Sequence, residues 1–200
     1  ILKYNDGYID GKGWLDYNEL YNYDFNDMDL NLIFNNFNIN LINNYLPWSF
    51  DLKGLLSGTL DANGSKKNPL IRADLSIINP IIDKINGKNL YGNILYENKR
   101  LYFNDLILYT KGGEYKGMGN IPLVFNSIDI NDNAMEPIHF NFTGKTNNFE
   151  FLPPYIDSLD SLTSNNEKDS TFIMLLDVSG SFDNPIRNGK LLCNNANIYI

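Results

Sequence analysis

His139 is the only histidine in the 200 residues. It stands between Ile138 and Phe140, on the polar side of an alternating segment. General-base or zinc chemistry needs partners held at fixed geometry, and no such set gathers around it in sequence. Asp129-x-Asn131-x-Asn133 opens like a calcium loop. Ala134 stands where that loop needs glycine, and Phe140 where it needs a bidentate glutamate, so a turn is expected instead. Asp157 and Asp160 lie three apart in a Ser/Asn/Asp-rich stretch, which reads as a solvated face before an acid/base pair. Gly113-x3-Gly117-x-Gly119 could approach a phosphate closely, but no helical pattern follows it, as a dinucleotide site requires. Asn63-Gly64-Ser65 and Asn141-Phe142-Thr143 match the short N-glycosylation pattern. Cys193 is the sole cysteine and allows no internal disulfide. The expectation is a protein with no catalytic residues, no metal and no cofactor, hence not an enzyme. A net charge of −8 without a basic stretch argues against nucleic acid.

The chemistry the pattern does support is the handling of apolar matter. Leu30, Leu32 and Phe34 alternate with Asp29, Asn31 and Ile33. Phe37, Ile39 and Leu41 alternate with Asn38 and Asn40, and the change of phase at Asn35-Asn36 predicts a bulge or tight turn. Period-2 runs recur over residues 56–62, 101–108 and 138–142. Asn63-Gly64, Asn79-Pro80, Asn86-Gly87, Glu97-Asn98, Gly112-Gly113 and Asp183-Asn184-Pro185 read as turns between strands. Short helical turns are expected at 41–46, 80–85 and 155–162, and a mobile loop at 158–170. The excess of Asn matches A/T-rich codon usage, and most Asn residues fall on the outward side of the alternation. The chain opens at Ile1 and reads as a piece of a longer protein, so an anchor or export signal would lie outside it.

A glycine and proline pattern occurs twice. Gly7-x3-Gly11-x-Gly13 returns as Gly113-x3-Gly117-x-Gly119, and Gly64-x4-Pro69-x3-Ala73 as Gly180-x4-Pro185-x3-Gly189. The Phe37–Leu41 alternation before Pro47 has a counterpart in Phe149–Leu152 before Pro153. Such repetition predicts an all-β fold with a first repeat over 1–111 and a second, partial one over 112–200, in one continuous sheet.

These residues resemble the repeat of the AsmA-like proteins, TamB among them. The resemblance rests on Ser57-Gly58-Thr59-Leu60 followed by Gly64-x4-Pro69 and a strand from Arg72. It rests also on Leu101-x-Phe103-x2-Leu106 leading into Gly113-x3-Gly117-x-Gly119-x-Ile121. It implies an elongated sheet rolled into a trough, a β-taco or open β-groove, with an apolar inside and a polar outside. It also implies a bacterial periplasmic location within an inner-membrane-anchored protein, and a part in carrying phospholipid toward the outer membrane. An Omp85-type outer-membrane barrel would be a partner through regions beyond this stretch.

A lipid conduit has a demanding requirement. Each methylene exposed to water costs about 0.8 kcal/mol, so a 16-carbon chain costs on the order of 12 kcal/mol. The apolar face must therefore run unbroken from strand to strand. The candidate groove residues are Leu30, Leu32, Phe34, Ile39, Leu56, Leu60, Leu75, Ile77, Ile94, Leu101, Phe103, Leu108, Ile121, Leu123, Phe125, Phe140, Phe142, Met174, Leu176 and Val178. The same alternation also fits the sealed core of a sandwich. Two further readings stay open. Trp14, Trp48 and the thirteen tyrosines could stack on sugars in a carbohydrate-binding or adhesin module, or the chain could be a structural β-solenoid spacer.

Overall fold

The computed structural model describes residues 1–4, 7–18, 24–41, 52–65, 68–83, 85–123, 137–146, 161–164, 171–181, 184–194 and 196–199. The strands are β1 (Leu2–Tyr4), β2 (Gly7–Asn18), β3 (Asp24–Asn38), β4 (Leu52–Ser65), β5 (Asn68–Ile82), β6 (Ile85–Asn86) and β7 (Asn89–Glu97). They continue as β8 (Arg100–Tyr109), β9 (Gly113–Pro122), β10 (Ile138–Thr146), β11 (Ser161–Ser164), β12 (Thr171–Gly180), β13 (Pro185–Asn194) and β14 (Ala196–Tyr199). The main sheet runs β1-β2-β3-β4-β5-β7-β8-β9-β10-β12-β13, with β6 paired to β5. Every pairing is antiparallel. β11 and β14 pair with each other as a separate two-stranded sheet.

The sheet keeps one apolar face because its irregularities fall where the sequence would otherwise change sides. A strand turns alternate side chains to opposite faces. Phe34 and Phe37 are three apart and would point apart, yet a bulge at Asn35-Asn36 returns both to one face. Asn36 takes φ 47° there, a backbone that asparagine tolerates better than most residues. Phe103 and Leu106 pose the same problem, and the register shift at Asn104-Asp105 answers it. In β5, Asn79 (φ 51°) and Pro80 form a third irregularity opposite Gly54.

Three expectations are corrected. Residues 80–85 are not helical: Pro80, Ile81 and Ile82 end β5, and Ile85 begins β6. β-Branched isoleucines favour the extended chain, and the Gly87 N–H donates to the Pro80 carbonyl at 2.8 Å to close the hairpin. Residues 161–164, placed by sequence partly in a helix and wholly in a mobile loop, form β11 because they find β14 as a partner. Asn63-Gly64 and Asn79-Pro80 are not turns but lie within β4 and β5. Of the 41–46 segment only Leu41 is described, in a 3-10 turn over residues 39–41. The helical candidate before residue 161 and the repeat of the Phe37 pattern at Phe149 lie outside the described residues.

Phe37, Ile39, Leu52, Leu56 and Ile77 make a packed cluster, with Ile9, Phe34, Leu75, Ile82 and Leu90 against it. Among the described elements, extensive close backbone approach occurs between paired strands.

Glycines let neighbouring strands approach. Gly58 has φ +140°, and a Cβ there would strike the Asp74 carbonyl oxygen and sit 2.9 Å from the Leu75 Cα. At Gly7 and Gly113 a Cβ would likewise strike a backbone carbonyl, that of Asn36 and that of Lys145. Gly189 meets only ordinary contacts, at 3.7 Å and beyond. Gly58→Ala is therefore expected to cost about 1–3 kcal/mol or more, whereas Gly189→Ala should be neutral within ~0.5 kcal/mol. Urea unfolding checks both: the midpoint should fall for the first and stay for the second, and equal midpoints would refute this account of Gly58.

Candidate functional site

Paired residues in an antiparallel sheet share a face, so the registers trace rows across the strands. One central row runs Ile9, Phe34, Gly58, Leu75, Gly92, Leu106, Gly117, Phe142, Leu176, Gly189. The row beside it runs Gly11, Leu32, Leu60, Ala73, Ile94, Phe103, Gly119, Phe140, Val178, Arg187. Both cross ten strands, or about 43 Å at ~4.8 Å per step. Large residues are set against small ones along both. Phe103 and Phe140 lie on either side of Gly119, and their rings meet edge to face at 6.0 Å. Gly117 lies between Leu106 and Phe142, and Tyr115 stacks on Phe142 at 5.9 Å and 16°.

Exposure distinguishes the centre of the face from its margins. No large side chain of the two central rows is buried; Leu32, Phe34, Leu60, Leu75, Ile94, Phe103, Leu106, Phe140, Phe142, Leu176 and Val178 are all half-buried. Buried residues concentrate in the flanking rows, Phe37, Leu56, Ile77 and Tyr115 on one side and Ala62, Tyr96 and Ile138 on the other, and the small Ala73 is buried within the second central row. The groove candidates divide accordingly. Ile39, Leu56 and Ile77 belong to the packed cluster. Leu30, Leu101, Leu108, Ile121 and Met174 are half-buried in the flanking rows. Leu123 lies past β9, its N–H bonded to the Lys99 carbonyl at 2.9 Å and its carbonyl accepting the Tyr96 hydroxyl at 2.9 Å. Phe125 lies outside the described residues. Sequence reasoning left out Ile9, Ile71, Leu90, Leu106 and the glycines Gly92, Gly117 and Gly189. Only the cross-strand register reveals that these glycines fall on the apolar face.

The opposite face mixes hydrogen-bonded Asn and Asp side chains with exposed apolar ones, among them Ile33, Leu55, Ile78, Met118, Leu175 and Ile186. Asn31 Nδ2 donates to Asp61 at 2.6 Å, Asn93 Nδ2 to Asp74 at 2.5 Å, and Asn104 Nδ2 to Asn93 Oδ1 at 2.9 Å. Two depressions open among these outward side chains. One, of about 390 Å³, has Ser57, Asp74, Tyr91, Asn93 and Asp105 in its lining; the other, of about 640 Å³, has Asn141, Thr143, Asp177, Asn188 and Lys190 together with Phe142, Leu176 and Arg187 of the apolar rows. His139 is exposed on this face, in register with Asn120 and Ser179. Asp129, Asn131, Asn133, Asp157 and Asp160 lie outside the described residues. Among the described residues no cluster of His, Cys, Asp or Glu could hold a metal ion, and no helix is long and apolar enough to cross a membrane.

No protein-family model, no curated protein and no solved structure matches this chain.

One charged group of three stands out on the opposite face. Lys116 Nζ donates to Glu114 at 2.9 Å, and Glu114 lies in register with Tyr109. The Lys116 hydrogen bond holds the Glu114 carboxyl below its ordinary 4.5, and the same bond lifts Lys116 above 10.5. The Glu114 charge lifts the Tyr109 hydroxyl above 10.0. The lowered carboxyl favours the folded sheet above its ordinary pKa, an advantage lost as pH falls through the lowered value. The raised lysine acts in the other direction, its advantage lost as pH rises past the raised value. All three groups are open to solvent, so the effect on stability is small. Glu114→Gln should bring the Tyr109 titration, followed by ultraviolet absorbance or NMR, back toward 10.0. An unmoved Tyr109 would refute the coupling.

Proposed function

We propose that this chain is a non-enzymatic segment of an envelope lipid-transfer bridge. Its apolar face shields phospholipid acyl chains between inner and outer membranes, in the bacterial periplasm and as part of an inner-membrane-anchored protein. The observation that carries this reading is the pair of central rows. Of the ten strands they cross, all but β9 and β13 carry a large apolar side chain there, half-buried rather than enclosed. A sandwich core would bury them. An acyl chain laid across the rows would replace contact that costs about 0.8 kcal/mol per methylene to lose. Wetting four methylenes at a break would add about 3 kcal/mol to each step; the bulges at Asn35-Asn36 and Asn104-Asp105 hold Phe34, Phe37, Phe103 and Leu106 on one face, and at β9 the glycines lie between the large side chains of β8 and β10.

The resemblance to AsmA-like proteins supplies the rest of the reading: a sheet rolled into a trough, an Omp85-type barrel as partner through regions outside this stretch, and a repeat as the unit of length. The carbohydrate-binding alternative would want a flat aromatic platform. The exposed pair Tyr91 and Tyr109 instead meets edge to face, 6.1 Å apart at 84°, a poorer surface for a sugar ring.

A photo-crosslinking residue at Leu32, Phe103 or Phe142 should label phospholipid, and one at Asn31, Asn104 or Asn141 should not. Equal labelling of both sets would end the proposal. Phe103→Asp tests accessibility separately. At an open face the sheet should keep its circular dichroism while lipid uptake is lost. In a sealed core the buried charge would unfold the protein.

A further inference from the structure

Among the described residues, the two central and two flanking rows carry one charged residue. From Gly11 through Val178 the second central row is uncharged, and it ends at Arg187 on β13. β13 is the terminal strand of the sheet order. Arg187 is exposed, and it makes no ion pair with a described residue. Its register partner is Val178, whose own partner is Phe140, so the pleat sets this guanidinium on the side of the acyl-binding rows. Lys190, three residues on, pairs with Leu175 and belongs to the opposite face.

We propose that Arg187 is a headgroup clamp that makes this face prefer phospholipids of net negative charge. The inference rests on the lipid-shielding reading above and adds the ligand's charge and place of attachment. An amphiphile covering the rows would take water from the guanidinium, and a cation desolvated without a counter-charge is costly. A phosphate removes that cost, because the planar fork of arginine matches two phosphate oxygens at once. The chain as a whole carries −8 and repels anions at a distance. An anionic lipid therefore needs a local cation, and on this face Arg187 is the one the rows supply. The acyl chains would run from it over Val178, Phe140 and Phe103, along the row.

The test is isothermal titration of the full 200-residue chain with short-chain phospholipids below their micelle concentrations. Dihexanoyl phosphatidylglycerol should bind about fivefold tighter than dihexanoyl phosphatidylcholine, the size expected for one cation beside an anionic headgroup. Arg187→Ala should equalise the two lipids while phosphatidylcholine binding persists, and Arg187→Lys should keep part of the preference. Lys190→Ala removes the same charge from the other face of the same strand and should leave the preference intact. If Arg187→Ala keeps the preference, or Lys190→Ala abolishes it equally, the clamp is wrong and a general surface field is acting. Equal binding of both lipids by the native chain overturns the clamp and leaves the lipid-shielding reading standing. Binding of neither lipid overturns both. Glycerol 3-phosphate is the control for a free-phosphate site, and binding as tight as that of the intact lipid would also overturn the clamp.

Discussion

Large side chains on one face of this sheet are set against glycines of the next strand, and the rest of the structure follows from that complementarity. Leu75 and Leu106 stand on either side of Gly92, Phe103 and Phe140 on either side of Gly119, and Leu106 and Phe142 on either side of Gly117. Large residues on every strand would crowd at a strand spacing of about 4.8 Å. Small ones on every strand would leave no apolar surface. Alternating them lets aromatic rings cover the bare backbone of the next strand, a known remedy for glycine in sheets. The backbone position of Gly58 is fixed by the same demand, since its neighbour's carbonyl occupies the place of a side chain.

The two faces solve different problems. The apolar face makes side-chain contacts along rows, with its large covered residues toward the strand ends and its half-covered ones in the middle. The opposite face links strands by amide–carboxylate bonds such as Asn31–Asp61 and Asn93–Asp74. Arg100 adds a bond to Asn120 at 2.6 Å and one to the Pro137 carbonyl, tying β8 to β9 and to the start of β10. Cross-strand polar pairs of this kind each contribute a fraction of a kcal/mol. They also fix register, and register keeps the apolar rows aligned.

Much of this was legible in the sequence, because a period of two needs no partner to be seen. The face assignments of Leu30, Leu32, Phe34, Leu101, Phe103, Phe140 and Phe142 follow from alternation alone. So does the bulge at Asn35-Asn36, where the apolar spacing changes from two to three. What could not be read was anything set by a neighbouring strand. The roles of Gly92 and Gly117 depend on which residue lies across from them. The strand at residues 161–164 depends on β14, far along the chain, and its own Ser and Thr composition reads as loop. At residues 80–85, Pro followed by isoleucines and a later Gly imitates a capped helical turn. The hairpin prevails there because Pro80 still offers a carbonyl to Gly87 and gives up only an N–H. Ile39, Leu56 and Ile77 alternate like the other candidates, and they are enclosed because they pack with Phe37 and Leu52 into one cluster.

Strand order in the main sheet follows chain order, with the short β6, β11 and β14 set aside. Each strand therefore finds its place beside the one made just before it. The main sheet of a polypeptide built this way can zip up from one end as it leaves the ribosome, and only β11 must wait for the distant β14. It can also be lengthened like a fence, one hairpin adding about 10 Å without redesign of the panels already standing.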